Sequence, residues 1–325
     1  MNSRPQVILN PTSGSGTGRR LQAAVEESVG ARWGKVDFSV TSRQGEATEL
    51  ARNAVARGAN LIIACGGDGT VQEVVNGLLS AGPGPLECEL GIVNCGTGRG
   101  LADSLGLPET LEQQLDLIHG GEAVALDIGR AKYVDGQGQT AERLWVNECQ
   151  LGIAGAVVER LEAAKGGDRT YKRLGGTLAF GLVAVKELVR LRCPELSVQL
   201  DDAKPIAGRF LGIMVGNGPK CGGGMRLTPD ASPDDGLLDV VLVREMSVPR
   251  RLWVFPKIYK GMHTGVEGIS SHRCRRITVS GPGRTTVEAD GELLGVPPCT
   301  IEVLPSALRV RAGRNVGTGG ARRPA

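Results

Sequence analysis

The sequence predicts a two-domain α/β protein, a parallel α/β domain followed by a β-sandwich. Three observations carry this. Short apolar runs alternate with helix-like segments over the first third, and β-rich runs separated by turn residues fill most of the rest. The chain's 325 residues, 41% of them hydrophobic, supply enough apolar material for about two cores. The change of texture falls near Leu126, giving domains over residues 1–125 and 126–303.

In the first domain Val7-Ile8-Leu9 reads as a buried strand, followed by a helical segment from Arg19 to Val29. A strand over Val36 to Val40, a helix from Glu46 to Arg57 and a strand over Leu61 to Ala64 repeat the alternation, which is the mark of parallel strands joined by crossover helices. A helix from Val71 to Leu79, a strand over Leu90 to Val93 and a short helix from Leu101 to Leu105 come next, the last closed by Gly106 and Pro108. Beyond Leu126 the β-rich runs are Arg143 to Val146, Leu196 to Leu200, Phe210 to Val215, Leu238 to Val243, Arg276 to Val279, Thr285 to Ala289 and Thr300 to Val303. One helical interruption, Leu174 to Leu191, lies on or beside them. The Gly/Arg-rich tail from Gly313 to Ala325 is expected to be disordered.

Bulk charge narrows the function. A net charge of +3 from 38 basic and 35 acidic residues is too balanced for a nucleic-acid partner. The 8 cysteines are scattered without a C-x-x-C pair, so reduced thiols in the cytoplasm are expected. No run approaches the ~20 apolar residues that span a bilayer, so any membrane contact is expected to be peripheral. The 49 glycines have no fixed period and cluster in short turns.

Those turns carry the chemistry. The stretch Leu61 to Thr70 runs a buried strand into Gly66-Gly67-Asp68-Gly69-Thr70, where a helix opens, and Thr70 with Glu73 has the spacing of a capping box. Glycines let backbone N–H groups approach an anion, and the helix start adds a favourable dipole. Asp68 makes sense in an anion site if a divalent cation lies between it and phosphate. Two more glycine turns follow strands: Asn10 to Gly18, and Asn94-Cys95-Gly96-Thr97-Gly98. In an open parallel sheet, loops at the carboxyl ends of strands line one crevice, so the three turns can meet around one nucleotide. Neither G-x-x-x-x-G-K-[ST] nor G-x-G-x-x-G occurs, which excludes an ordinary P-loop and a Rossmann dinucleotide fingerprint. Asp290-Gly291-Glu292 reads equally well as a hairpin turn or as a functional carboxylate pair.

Taken in order, Asn10-Pro11, Gly66 to Thr70, Gly96-Thr97-Gly98 with Leu105 to Pro108, Leu126 to Gly129, Gly222-Gly223-Gly224, Pro229-Asp230-Ala231 with Asp234 to Asp239, and Asp290-Gly291-Glu292 resemble the diacylglycerol kinase catalytic family. The resemblance runs from about Val7 to Arg311. It implies a Rossmann-like α/β nucleotide-binding domain and a β-sandwich domain with the active site in the cleft between them. It also implies that the strand near Leu308 to Val310, within residues 304–312, returns to the first domain. The activity it implies is ATP-dependent phosphorylation of a lipid hydroxyl, diacylglycerol-like or sphingoid-like, with Mg²⁺ and with peripheral contact to the membrane that holds the substrate. Asn10, Gly66, Gly67, Asp68, Gly69, Thr70, Gly96, Thr97 and Arg99 would then contact the nucleotide. Asp68 and Asp235 would contact metal, and Asp290 and Glu292 would share the catalytic work, with the proton acceptor left open between them.

The chain departs from the family pattern at two places. Arg99 and Gly100 stand where Asn and Asp are common, replacing a neutral amide by a fixed cation able to pair with a phosphate but not with Mg²⁺. Gln72 stands where Asn is usual. Two other readings share the glycine loop: an NAD kinase-like enzyme with a soluble acceptor, and a nucleotide-binding regulator without turnover. Arg250 and Arg251 beside Trp253 and Phe255 read as an amphipathic surface segment or as a membrane-facing patch. Exposed sheet edges would permit a homodimer.

Overall fold

The computed structural model describes residues 5–81, 88–96, 99–165, 176–281 and 285–312. The chain divides into two compact units. The first holds residues up to Ile128, Ser232–Gly236 and the chain from Leu304; the second holds Gly129–Ala231 and Leu237–Val303. The five residues from Ser232 to Gly236, read from sequence as part of the second domain, thus belong to the first unit. The tail from Gly313 lies outside the described residues.

In the first unit, β1 (Pro5–Leu9), β2 (Asp37–Val40), β3 (Leu61–Gly66) and β4 (Glu89–Asn94) pair in parallel in the order β2-β1-β3-β4. β1 and β3 are buried at every residue, as apolar runs without alternation require when helices cover both faces. Each fully buried Val, Leu or Ile there contributes roughly 1.5–3 kcal/mol. The helices are α1 (Ser13–Trp33), α2 (Glu46–Ala56), α3 (Asp68–Leu78), α4 (Gly100–Ser104) and α5 (Leu111–Gly120). Helix α5, which the sequence reading passed over, is capped by Thr110 accepting from the Gln113 N–H and packs on β4. The last strand's end pairs Val310 with Leu90 in parallel, extending this sheet.

The second unit is a β-sandwich of largely antiparallel strands, with the later part of β5 (Ala123–Val134), then β6 (Thr140–Trp145), β7 (Glu148–Gly152), β8 (Glu195–Leu200), β9 (Ile206–Gly216), β10 (Leu238–Arg244), β11 (Ile269–Cys274), β12 (Arg276–Ser280), β13 (Val287–Ala289) and the first part of β14 (Glu292–Arg311). Strand β9 pairs with β8 through residues 206–209 and with β7 and β10 through later ones, so it turns a corner between layers. Trp145, Phe210, Ile213, Val240 and Ile301 lie in the core between the layers. Gly129 stands opposite Trp145 in the β5–β6 register, and a Cβ there would come within 1.9 Å of the indole, so only glycine seats that ring.

Alternation along β10 sends Leu238, Val240 and Leu242 into that core and Val241 and Val243 outward, beneath a second apolar cluster. Helices cover this outer face: α6 (Ile153–Lys165), α7 (Gly176–Arg190) and α8 (Val248–Ile258). The sequence predicts one helix here, over Leu174 to Leu191; among the described residues the structure gives three, and residues 174 and 175 lie outside them. Among the described residues no helix is long and apolar enough to cross a membrane.

Candidate active site

The order β2-β1-β3-β4 places successive connections on opposite sides of β1, so the loops leaving β1 and β3 part there and open a crevice at the carboxyl ends of the strands. The three glycine turns gather in the first unit. The Asn10 side chain donates to the Thr70 hydroxyl at 3.0 Å, and its own oxygen accepts from the Thr12 N–H at 3.0 Å and hydroxyl at 2.8 Å. The Asn10 N–H reaches the Cys65 carbonyl at 2.9 Å, and the Cys95 N–H reaches Gly66 at 2.8 Å. Glycine is required at these approaches. A Cβ on Gly14, at φ +59°, would lie 2.1 Å from the Cys95 carbonyl oxygen, and one on Gly66 would lie 2.4 Å from the Thr70 side chain.

Residues 14–16 all have positive φ, so the right-handed part of α1 begins only after Gly16. Helix α3 starts at Asp68, three residues before the expected start at Val71, and its N-cap, Gly67, supplies no side-chain hydrogen bond. Its first turn therefore leaves N–H groups for an outside acceptor, at the positive end of the dipole. The predicted capping box does not form: the Glu73 carboxylate accepts instead from the N–H groups of Gly45 at 3.0 Å and Ala47 at 3.2 Å, pinning the loop after β2. The Ser13 hydroxyl is buried with no hydrogen-bond partner and lies 3.6 Å from where a Gly67 Cβ would stand, while Cβ atoms on Gly16 or Gly69 would meet nothing within 4 Å. An orphaned hydroxyl beside open glycine backbone fits a phosphate ligand.

A cleft of about 210 Å³ adjoins these turns, lined by Asn10 and Thr12, by Thr41, Ser42, Arg43, Gln44 and Ala47, and by Thr70 and Glu73. Sequence reasoning missed the 41–44 segment. Its one signal was Gly45, with φ +82° at the α2 N-cap, shortly after β2 ends at Val40.

Other predicted residues stand differently. Thr97 and Gly98 lie outside the described residues. Arg99 was expected to face phosphate, but its guanidinium binds Asp103 at 3.1 Å and the Leu107 carbonyl at 3.0 Å, bracing the turn after α4. Asp235 is exposed, in the 232–236 segment. That segment is held by buried Asp127, whose carboxylate accepts from the Gly236 N–H at 2.6 Å and the Ser306 N–H at 2.8 Å. Burial pushes the Asp127 carboxyl up, the two N–H groups oppose this, and the charges of Asp235 and Asp234 add to the rise. Among the described residues no three His, Cys, Asp or Glu side chains gather as a cation cage. Asp68 alone still fits Mg²⁺, which is held by one or two carboxylates and the oxygens of a bound phosphate rather than by an all-protein cage.

In the second unit, Asp290 and Gly291 form the two-residue turn between β13 and β14, at φ +48° and +82°, the left-handed pair that an Asp-Gly hairpin adopts. The Asp290 carboxylate accepts three N–H groups, from Val146 at 2.7 Å and from Asn147 and Glu148 at 3.0 Å. Burial pushes its carboxyl up against those donors, and the Glu292 charge adds to the rise. Glu292 is held by the Arg143 guanidinium at 2.6 Å and keeps a quarter of its side chain exposed. Neighbouring Glu288 is 2% exposed, accepts the Gly291 N–H at 3.0 Å, and is pushed up to about 8 by burial.

Comparison with known proteins agrees with both units. The model of the diacylglycerol kinase catalytic domain matches residues 4–131, and that of the YegS C-terminal NAD kinase beta sandwich-like domain matches residues 156–312. A diacylglycerol kinase of Bacillus subtilis is 30% identical over 297 residues, 91% of each chain. A protein of Pectobacterium atrosepticum named "Probable lipid kinase YegS-like" is 32% identical over 274 residues, 84% of each chain. A solved structure of a diacylglycerol kinase from Bacillus anthracis shares the fold, with a TM-score of 0.70 at 21% identity over 97% of this chain and 98% of that one. With such identity over nearly its whole length, this chain belongs to the diacylglycerol kinase catalytic-domain family.

Proposed function

We propose that this chain is an ATP-dependent lipid kinase that transfers the γ-phosphate to a hydroxyl of a diacylglycerol-like or sphingoid-like acceptor. The observation that carries the reading is the packing of the Asn10, Gly66 and Gly96 turns around the uncapped start of α3, an arrangement suited to a polyphosphate. The base end of the nucleotide takes the cleft beside Thr41 and Asn10, and its phosphates lie over the glycine turns. Mg²⁺, when bound beside Asp68, would neutralise charge on the phosphate oxygens.

Of the two carboxylates in the second unit, Glu292 suits the role of proton acceptor. Asp290 has both oxygens occupied by backbone N–H groups, whereas Glu292 has one salt-bridged oxygen and an exposed remainder. Glu292 takes the proton from the acceptor hydroxyl, the oxygen bonds to the γ-phosphorus, and ADP departs with the electrons of the broken P–O bond. Such a base contributes about 10²–10⁴-fold. Asp290 holds the turn that aims it.

The test is incubation with γ-labelled ATP and a panel of lipids, with NAD in parallel. Label in an organic-soluble phospholipid supports the reading. Label in NADP alone, or nucleotide binding with no product, rejects it.

A further inference from the structure

The outer face of α8 and of the turn that follows it is apolar where a protein surface should be polar. Leu252 is 39% exposed, Trp253 57%, Tyr259 38% and Met262 60%, with Pro249 and Pro256 exposed on the same side. The helix turns Arg251 and Val254 inward instead. Arg251 is 6% exposed, and its guanidinium donates to the carbonyls of Met246, Leu188 and Leu191. This locks α8 to the carboxyl end of α7. Helix α7 carries its own exposed apolar stripe at helical spacing: Leu182 at 49%, Val185 at 39% and Val189 at 48%.

Charge identifies what covers these faces. Between Met246 and Val266 the sequence has no acidic residue but has Arg250, Arg251, Lys257 and Lys260. The Lys257 ammonium sits 4.1 Å over the Trp253 ring, a cation held beside an amphipathic aromatic. On α7, Lys186, Arg190 and nearby Arg192 are exposed, while the one acid of the helix, Glu187, is turned inward onto Arg160. The chain as a whole carries a net charge of only +3, so this is a local concentration of cations. Apolar and aromatic side chains flanked by lysine and arginine, with Glu267 at the edge of the patch paired to Arg250 at 3.2 Å, match an interface whose outer layer is anionic and whose next layer is hydrocarbon.

We propose that the exposed faces of α8 and α7 are the surface by which the enzyme docks on a bilayer containing anionic lipid. Trp253 and Leu252 enter the headgroup boundary, and Lys257 and Lys260 meet the phosphates. The proposal goes beyond the kinase reading and stands without it, because docking is read without turnover.

The experiment is flotation of the full chain with phosphatidylcholine vesicles, with and without phosphatidylglycerol. Wild type is expected to float with the anionic vesicles and to be released by salt. Lys257→Gln with Lys260→Gln lowers the partition coefficient about thirtyfold, at about 1 kcal/mol per neutralised cation. Leu252→Ala with Trp253→Ala lowers it by at least about tenfold through lost apolar insertion. Lys204→Gln, in an exposed turn elsewhere, leaves it unchanged. All these side chains are outside the core, and circular dichroism checks that each variant is folded. Wild type that ignores anionic vesicles, or patch variants that bind as well as wild type, overturns the proposal. So does a dimer in solution that the patch variants dissociate while vesicles bind neither form, since the face is then an interface between copies.

Discussion

The side-chain amide of Asn10 donates to the hydroxyl of Thr70 at 3.0 Å, across 60 residues of sequence. This bond ties the turn after β1 to the first turn of α3, on either side of the switch point. Losing a hydrogen bond of this kind costs about 0.5–1.5 kcal/mol. Thr70→Val is therefore expected to raise the KM for ATP about three- to tenfold, at about 1.4 kcal/mol per decade. The melting temperature should fall by no more than about 2–6 °C. An unchanged KM would mean that the two turns do not share the nucleotide.

Gly18 tests the backbone packing. A Cβ there would sit 2.1 Å from the Asn10 carbonyl oxygen, a backbone atom that cannot swing away. Gly18→Ala is expected to cost about 1–3 kcal/mol, as overpacking does, read from the urea midpoint. Gly69→Ala, with nothing within 4 Å, should leave stability nearly as it was and act on nucleotide affinity instead.

Glu288 makes stability fall as pH rises. Its carboxyl is pushed up to about 8 in the folded protein by burial, above the ordinary value it has when unfolded. From the ordinary carboxylate range up to about 8 the folded state keeps a proton that the unfolded state has released. Over that window the group's stabilisation is lost at about 1.4 kcal/mol per pH unit, being fully present only below the unfolded value. Glu288→Gln should flatten this part of the profile. A wild-type profile that Glu288→Gln leaves unaltered between about pH 5 and about 8 would show that the carboxyl is ionised in the fold.

Arg250 and Arg251 are neighbours with opposite fates. Arg251→Ala leaves the carbonyls of Met246, Leu188 and Leu191 without their donor and should cost about 2–4 kcal/mol. Arg250 pairs with Glu267, itself 90% exposed, and its loss should cost about 0.2–1 kcal/mol. Equal effects in thermal melts would contradict the orientation of α8.

The same arginine explains what the sequence hid. Arg251 is buried while Leu252 and Trp253 are exposed, and Pro249 and Pro256 interrupt the run, so the segment reads as an amphipathic surface stretch without declaring the helix or which face it buries. Helix α6 follows β7 at Gly152 with no cap residue to announce it. The glycine turns were legible because their requirement is local: a strand, then residues that must lack a Cβ. The placement of Ser232–Gly236 in the first unit was not, because it rests on hydrogen bonds from Asp127 across 109 residues. The fate of Arg99 was equally hidden, since Asp103 and the Leu107 carbonyl compete for it only once α4 has formed. Asp290 and Glu292 were visible as a pair, but only the N–H groups of residues 146–148 separate the turn-former from its neighbour.

The most direct measurement is transfer of label from γ-labelled ATP to lipid by wild type, Glu292→Gln and Asp290→Asn, with nucleotide affinity and melting temperature measured on each. Glu292→Gln should lose about 10²–10⁴-fold in kcat while ATP affinity persists and the fold stays near wild-type stability. Asp290→Asn should lose about 1–3 kcal/mol of stability, because an amide turns a donor toward backbone N–H groups. Glu292→Gln working at the wild-type rate would contradict the account.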